Sequence, residues 1–171
     1  MPLARPLPSV LLQAQPGPWQ LQGQGALRWS VLRLYEARLY VNVRTGLGGG
    51  LADFSVFEQA SPFVLEMTYL RNLAAHDIVL AAHQEIERLR PGIDRRLLDE
   101  WCVELEACLP DLLRRDRLST LFLPKEGVSF YCNDDLVGCI DSADFCEAFA
   151  AIWLDPATRQ PALRQALLGQ G

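Results

Sequence analysis

Between residues 63 and 90 the spacing of apolar residues changes once, and that change limits the folds open to this chain. In "SPFVLEMTYLRNL" Phe63, Leu65, Met67 and Tyr69 alternate with Val64, Glu66 and Thr68, the period of two that a β-strand requires. In "AAHDIVLAAHQEIERLRPG" the apolar positions Ile78, Ala81, Ala82, Ile86 and Leu89 fall at helical spacing instead. Asp77 near the start and Arg88 and Arg90 near the end suit the helix dipole, and Pro91-Gly92 stops the helix. A second amphipathic helix follows in "DRRLLDEWCVELEACLP", with Leu98, Trp101, Leu105 and Cys108 on one stripe.

The alternating period returns with "DRLSTLFLP" and with "GVSFYCNDDLVGCI", a hairpin whose turn is supplied by Asn133, Asp134 and Asp135. "DSADFCEAFAAIWL" is then a helix capped by Asp141 or Ser142, with Phe145, Phe149, Ile152 and Trp153 on its buried face. "QPALRQALLG" forms a last one, with Pro161 in its first turn and Gly169 past its end. Strands, two helices, strands and two helices again make an α+β domain with an antiparallel or mixed sheet and helices on one side. The expected strands are 28–43, 63–71, 118–123 and the 128–140 hairpin. The expected helices lie around 75–90, 94–108 and 142–154. Residues 1–19 read as an irregular Pro- and Gln-rich arm and 20–171 as the domain. The triple glycine in "RTGLGGGLADF" marks a flexible loop.

The first long strand, "RWSVLRLYEARLYV", is apolar on both faces, yet it carries Arg28, Arg33 and Arg38. Either the arginines occupy strand ends and an open face, or one is held inside to meet an anion. Arg28 follows the glycine-containing "GQGAL", read as a flexible stretch and as a short strand or turn, at one end of the strand. There its stem can rest on apolar side chains with its head near water. Arg33 and Arg38 lie deeper, where an unpaired inward charge costs several kcal/mol, so they are expected to reach solvent or pair with acids.

The 171 residues are enough for one domain with a sizeable core. A net charge of −5 excludes the phosphate-neutralising surface that nucleic-acid binding needs, and no nucleic-acid partner is expected. No stretch reaches the ~18 apolar residues of a membrane span. The first residues, interrupted by prolines, lack a signal-peptide run. That points to the cytoplasm, or to the periplasm if a leader has been removed. Five cysteines without a CxxC give neither a disulfide framework nor a zinc knuckle. His76 and His83, seven apart, are not a helical metal pair, and no metal or other cofactor is expected.

The succession "GQGALRW", "LRLYEARLYV", "FVLEMTYLRNLAAHDIV", "GVSFYCNDDLVGCIDSADFCEAFAAIWLDP" and "LLG" resembles the bacterial chalcone isomerase-like family over roughly residues 20 to 169. The resemblance implies an open-faced β-sandwich, an antiparallel sheet with a helical layer on one face and a ligand cleft between them. It also implies a soluble protein that is either an isomerase or a non-catalytic fatty-acid binder. Plant chalcone isomerases place an arginine shortly after a Gly-x-Gly stretch, and Arg28 holds that place here, though closer to "LYV" than in the plant enzymes. Their strand threonine is replaced by Tyr35. Their helical tyrosine, lysine and asparagine have no counterpart in "AAHDIVLAAHQEIERLR". This weighs against an enzyme. The expected function is a binding protein for a small apolar molecule, fatty-acid-like and carboxylate-bearing if Arg28 meets it, with Arg28, Tyr35, Tyr40 and Tyr69 as ligand-binding residues and no catalytic residue. The alternatives are an isomerase (an intramolecular lyase) and an interaction module without a ligand.

Overall fold

Alternation with period two builds six strands, and the chain lays them side by side in the order in which they are made. The computed structural model describes residues 5–29, 31–42 and 61–170. The strands are β1 (Trp19–Trp29), β2 (Leu32–Asn42), β3 (Phe63–Tyr69), β4 (Arg117–Leu123), β5 (Gly127–Cys132) and β6 (Asp135–Ile140). They form one sheet of order β1-β2-β3-β4-β5-β6, and every neighbouring pair is antiparallel. Among the described residues five helices accompany them: α1 (Ser9–Ala14), α2 (Ala75–Leu89), α3 (Arg95–Cys108), α4 (Ala143–Leu154) and α5 (Pro161–Leu167). The glycine loop expected at residues 44–54 lies outside the described residues.

The register separates the faces of the sheet. Tyr35, Ala37 and Leu39 of β2, Phe63, Leu65, Met67 and Tyr69 of β3, and Leu118 and Phe122 of β4 point into the main core, beneath α2 to α5. Here that is called the inner face. An aromatic column joins sheet to helices: Phe63 stacks on Phe122 at 4.6 Å between ring centroids, Phe122 on Phe149 at 6.1 Å, and Phe149 meets Trp153 edge-on at 5.1 Å. Ser142 caps α4 by accepting from the Phe145 N–H at 3.1 Å, and Asp94 caps α3 through the Arg96 N–H. At the β5–β6 turn Asn133 takes φ +54°, a left-handed conformation that asparagine tolerates.

Three expectations need correction. The strand expected over 28–43 is two strands, broken between Trp29 and Leu32, so Arg28 belongs to β1 and pairs with Arg33 across the hairpin. The alternation runs through the break with no Gly, Pro or Asn to mark it. The "GQGAL" stretch is strand, and its glycines serve close packing. A Cβ on Gly23 would lie 2.1 Å from the Ala166 carbonyl oxygen, and one on Gly25 would meet the Ala166 and Leu163 side chains at 2.9 Å. The arm is not wholly irregular: residues 9–14 are helical, and Leu7 and Leu11 are buried against the other, outer face with Tyr40, Val64, Leu121 and Tyr131.

Candidate functional site

Tyr35 and Tyr69 are register partners on the inner face, their rings 5.6 Å apart, and both are buried. Trp153, brought over by α4, donates its Nε1–H to the Tyr35 hydroxyl at 2.9 Å. Among the described residues the Tyr69 hydroxyl donates only to the Met67 sulfur, at 3.9 Å, a weak acceptor. Burial pushes the Tyr35 phenol up to about 12, with the Trp153 bond opposing. Burial, then the neighbouring Tyr35, drives Tyr69 further up. Two phenols that keep their protons are hydrogen-bond donors and not bases.

Arg28 is exposed and directly follows Leu27, the residue opposite Tyr35. The rung Leu27–Tyr35–Tyr69 thus runs across β1, β2 and β3, with a free-reaching guanidinium one position from its end. Tyr40 is not part of this group. Five residues from Tyr35, it has opposite parity and lies on the outer face. A ligand between sheet and helices would meet Tyr35 and Tyr69 and not Tyr40. Arg33 is exposed beside Glu36, 3.8 Å away, and Arg38 is half-buried opposite Glu66.

The outer face holds a charged group that sequence reasoning missed. Arg117, at the start of β4, is 6% exposed, and Glu66, at the centre of β3, is 3% exposed. Arg117 Nη1 donates to the Pro6 carbonyl at 2.7 Å and stands 3.6 Å from Glu66 Oε2, while Nη2 donates to Asp134 at 3.1 Å. Burial raises the Glu66 pKa, against the pull of Arg117, Arg38 and Arg5. Glu66 Oε2, Arg117 Nε and the Oγ of fully buried Ser119, opposite Glu66 in register, have no hydrogen-bond partner. Each such atom costs roughly 1–3 kcal/mol. The signal present in the sequence was Glu66 inside an apolar strand, with its partner fifty-one positions away and invisible to local pattern.

Elsewhere the polar groups are ordinary. His76 faces Glu106 at 3.2 Å and His83 faces Asp99 at 3.4 Å, both at the surface. Among the described residues no cluster could hold a metal, no helix is long and apolar enough to cross a membrane, and all five cysteines are free. A groove of about 350 Å³ lies on the helical layer between Arg90, Ile93, Leu97, Trp101, Asp144 and Glu147, and none of Arg28, Tyr35, Tyr40 and Tyr69 lines it.

Comparison with known proteins gives three findings. Residues 10–169 match the model of a family described as chalcone isomerase-like. A protein of Haemophilus influenzae, itself uncharacterized, is 26% identical over 152 residues, covering 89% of this chain and 69% of that one. The crystal structure of a fatty-acid binding protein of Arabidopsis thaliana superimposes with a TM-score of 0.68 at 14% identity, covering 88% of this chain and 86% of that one.

Proposed function

The chain belongs to the chalcone isomerase-like family, a fold that serves both enzymes and non-catalytic fatty-acid binders, and on that premise we propose that it is a binding protein for a small apolar ligand bearing a carboxylate. The ligand lies between the sheet and the helical layer, its acid group at the Arg28 end of the Leu27–Tyr35–Tyr69 rung. The observation that carries this reading is the pair of buried, proton-retaining phenols on a rung whose β1 end, Leu27, adjoins the exposed Arg28. Such a group offers donors to an anion, and it offers no base to take a proton from a substrate. The fatty-acid binding of the Arabidopsis relative supports the same ligand class.

The test is a titration of dodecanoate and dodecanol into the wild-type protein and Arg28→Ala. Loss of a charged hydrogen bond should weaken dodecanoate by about 1.5–3 kcal/mol and leave dodecanol nearly unchanged. Equal losses for both ligands, or binding of neither to the wild type, would overturn the reading.

A further inference from the structure

The arm meets the outer face in the way a ligand would. Its Pro6 carbonyl oxygen takes a hydrogen from Arg117, and Leu7 and Leu11 fill a trough between Tyr40, Val64, Leu121 and Tyr131. The fit is incomplete. Pro6 and Pro8 have no N–H to give to Glu66, and Glu66 Oε2, Arg117 Nε and Ser119 Oγ stay unpartnered although all three residues are more than nine-tenths buried. The charges are unbalanced too. Three guanidiniums act on Glu66, those of Arg117, Arg38 and Arg5, and Asp134 is the one other carboxylate paired with Arg117 among the described residues. Three guanidiniums thus face two carboxylates, one positive charge in excess.

We propose that the outer face of the sheet beneath residues 5–14 is a second binding site, for a carboxylic acid with an aliphatic tail, and that the arm occupies it as a removable cover. The ligand's carboxylate accepts from Arg117 Nε and Ser119 Oγ, groups the arm leaves idle. Glu66 donates to it when it takes up a proton on binding, and the tail replaces Leu7 and Leu11. The cover is lightly held. A six-residue helix does not stand alone, and Val10 on it is exposed. This site is independent of the inner-face reading, since the sheet separates the two.

Calorimetry and native mass spectrometry with dodecanoate on the full chain distinguish the sites. Wild type should take two molecules, one class of which responds to outer-face changes. Leu7→Ser with Leu11→Ser should tighten that class by about fivefold, because a larger fraction of molecules stands uncovered. Glu66→Gln, of unchanged shape and always able to donate, should tighten it wherever Glu66 is ionised and flatten its pH dependence. The groups facing Glu66 are Arg38 and Tyr40 on β2, Arg117 and Ser119 on β4, Tyr131 on β5, Asp134 in the turn and Arg5 on the arm; of the carboxylates on these elements, Glu66 alone is buried. Dodecanoate should also speed thermolysin cleavage between Leu11 and Leu12. If the inner-face reading fails and this one holds, a single class remains that responds to Glu66→Gln. A class or classes indifferent to Glu66→Gln and to the leucine changes, with cleavage unaffected by ligand, would overturn the second site.

Discussion

At the scale of single residues the Tyr35–Trp153 bond is the most informative contact. It ties β2 to α4 across 118 positions, inside the core. Tyr35→Phe keeps the ring and removes the acceptor, leaving an indole N–H buried and unpaired. Denaturant unfolding should show a loss of about 1–3 kcal/mol. The same group sets a pH limit. The unfolded chain releases the Tyr35 proton near 10.0, whereas the folded protein holds it up to about 12. The stabilisation is therefore complete below pH ~10 and is lost as the pH rises toward ~12. Unfolding midpoints measured across that interval should fall less steeply in Tyr35→Phe than in wild type. Cys146, also raised by burial to about 12, leaves some slope in both. Little of this was legible beforehand. Parity alone sets Tyr35 on the same face of its strand as Ala37 and Leu39, but the arrival of Trp153 depends on how α4 crosses the sheet, which no local spacing encodes.

At the scale of elements, long periodic segments read well. The helix expected over 75–90 is α2 (Ala75–Leu89), and that expected over 94–108 is α3 (Arg95–Cys108), because a stripe repeated over four turns outweighs any single residue. β1 stays open between a short strand and a turn because glycine has two uses, freedom and thinness, and the choice lies in what packs above it. Here it is thinness. Gly23→Ala should push α5 off the sheet and cost at least the ~1–3 kcal/mol of an overpacked core, since the obstacle is backbone and not a flexible side chain. Gly92, with open space where a Cβ would stand, gives the contrast. Gly92→Ala should leave stability unchanged or raise it by about 0.4–1 kcal/mol through the unfolded chain. Thermal melts of the two variants check both expectations.

At the scale of the whole molecule the fold class and the one-sided layer of long helices were legible, because periods of two and of 3.6 alternate in the order of an antiparallel α+β domain. The outer face was not legible. On that side β3 and β4 bury Glu66, Arg117 and Ser119 beneath the arm. A sheet with cover on both sides has a graded stability. β3 and β4 have partners on both edges and buried residues on both faces, whereas β6 is an edge strand with much of its length exposed. Amide exchange followed by NMR should be slowest in Phe63–Tyr69 and Arg117–Leu123 and faster by orders of magnitude in Asp135–Val137 and in α1. Comparable protection in α1 and β3 would contradict the grading.

The packing of α5 on β1 also sets an order in time. β1 leaves the ribosome well before the helix that covers its glycine stripe. The Gln22 side chain and the Leu168 carbonyl that it bonds are 146 positions apart. At ordinary synthesis rates that separation is on the order of ten seconds. For that interval the nascent sheet carries a strand with small residues, no lid and an unpaired outer edge, the kind of surface that other chains extend. Until translation reaches α5, that glycine face stands uncovered.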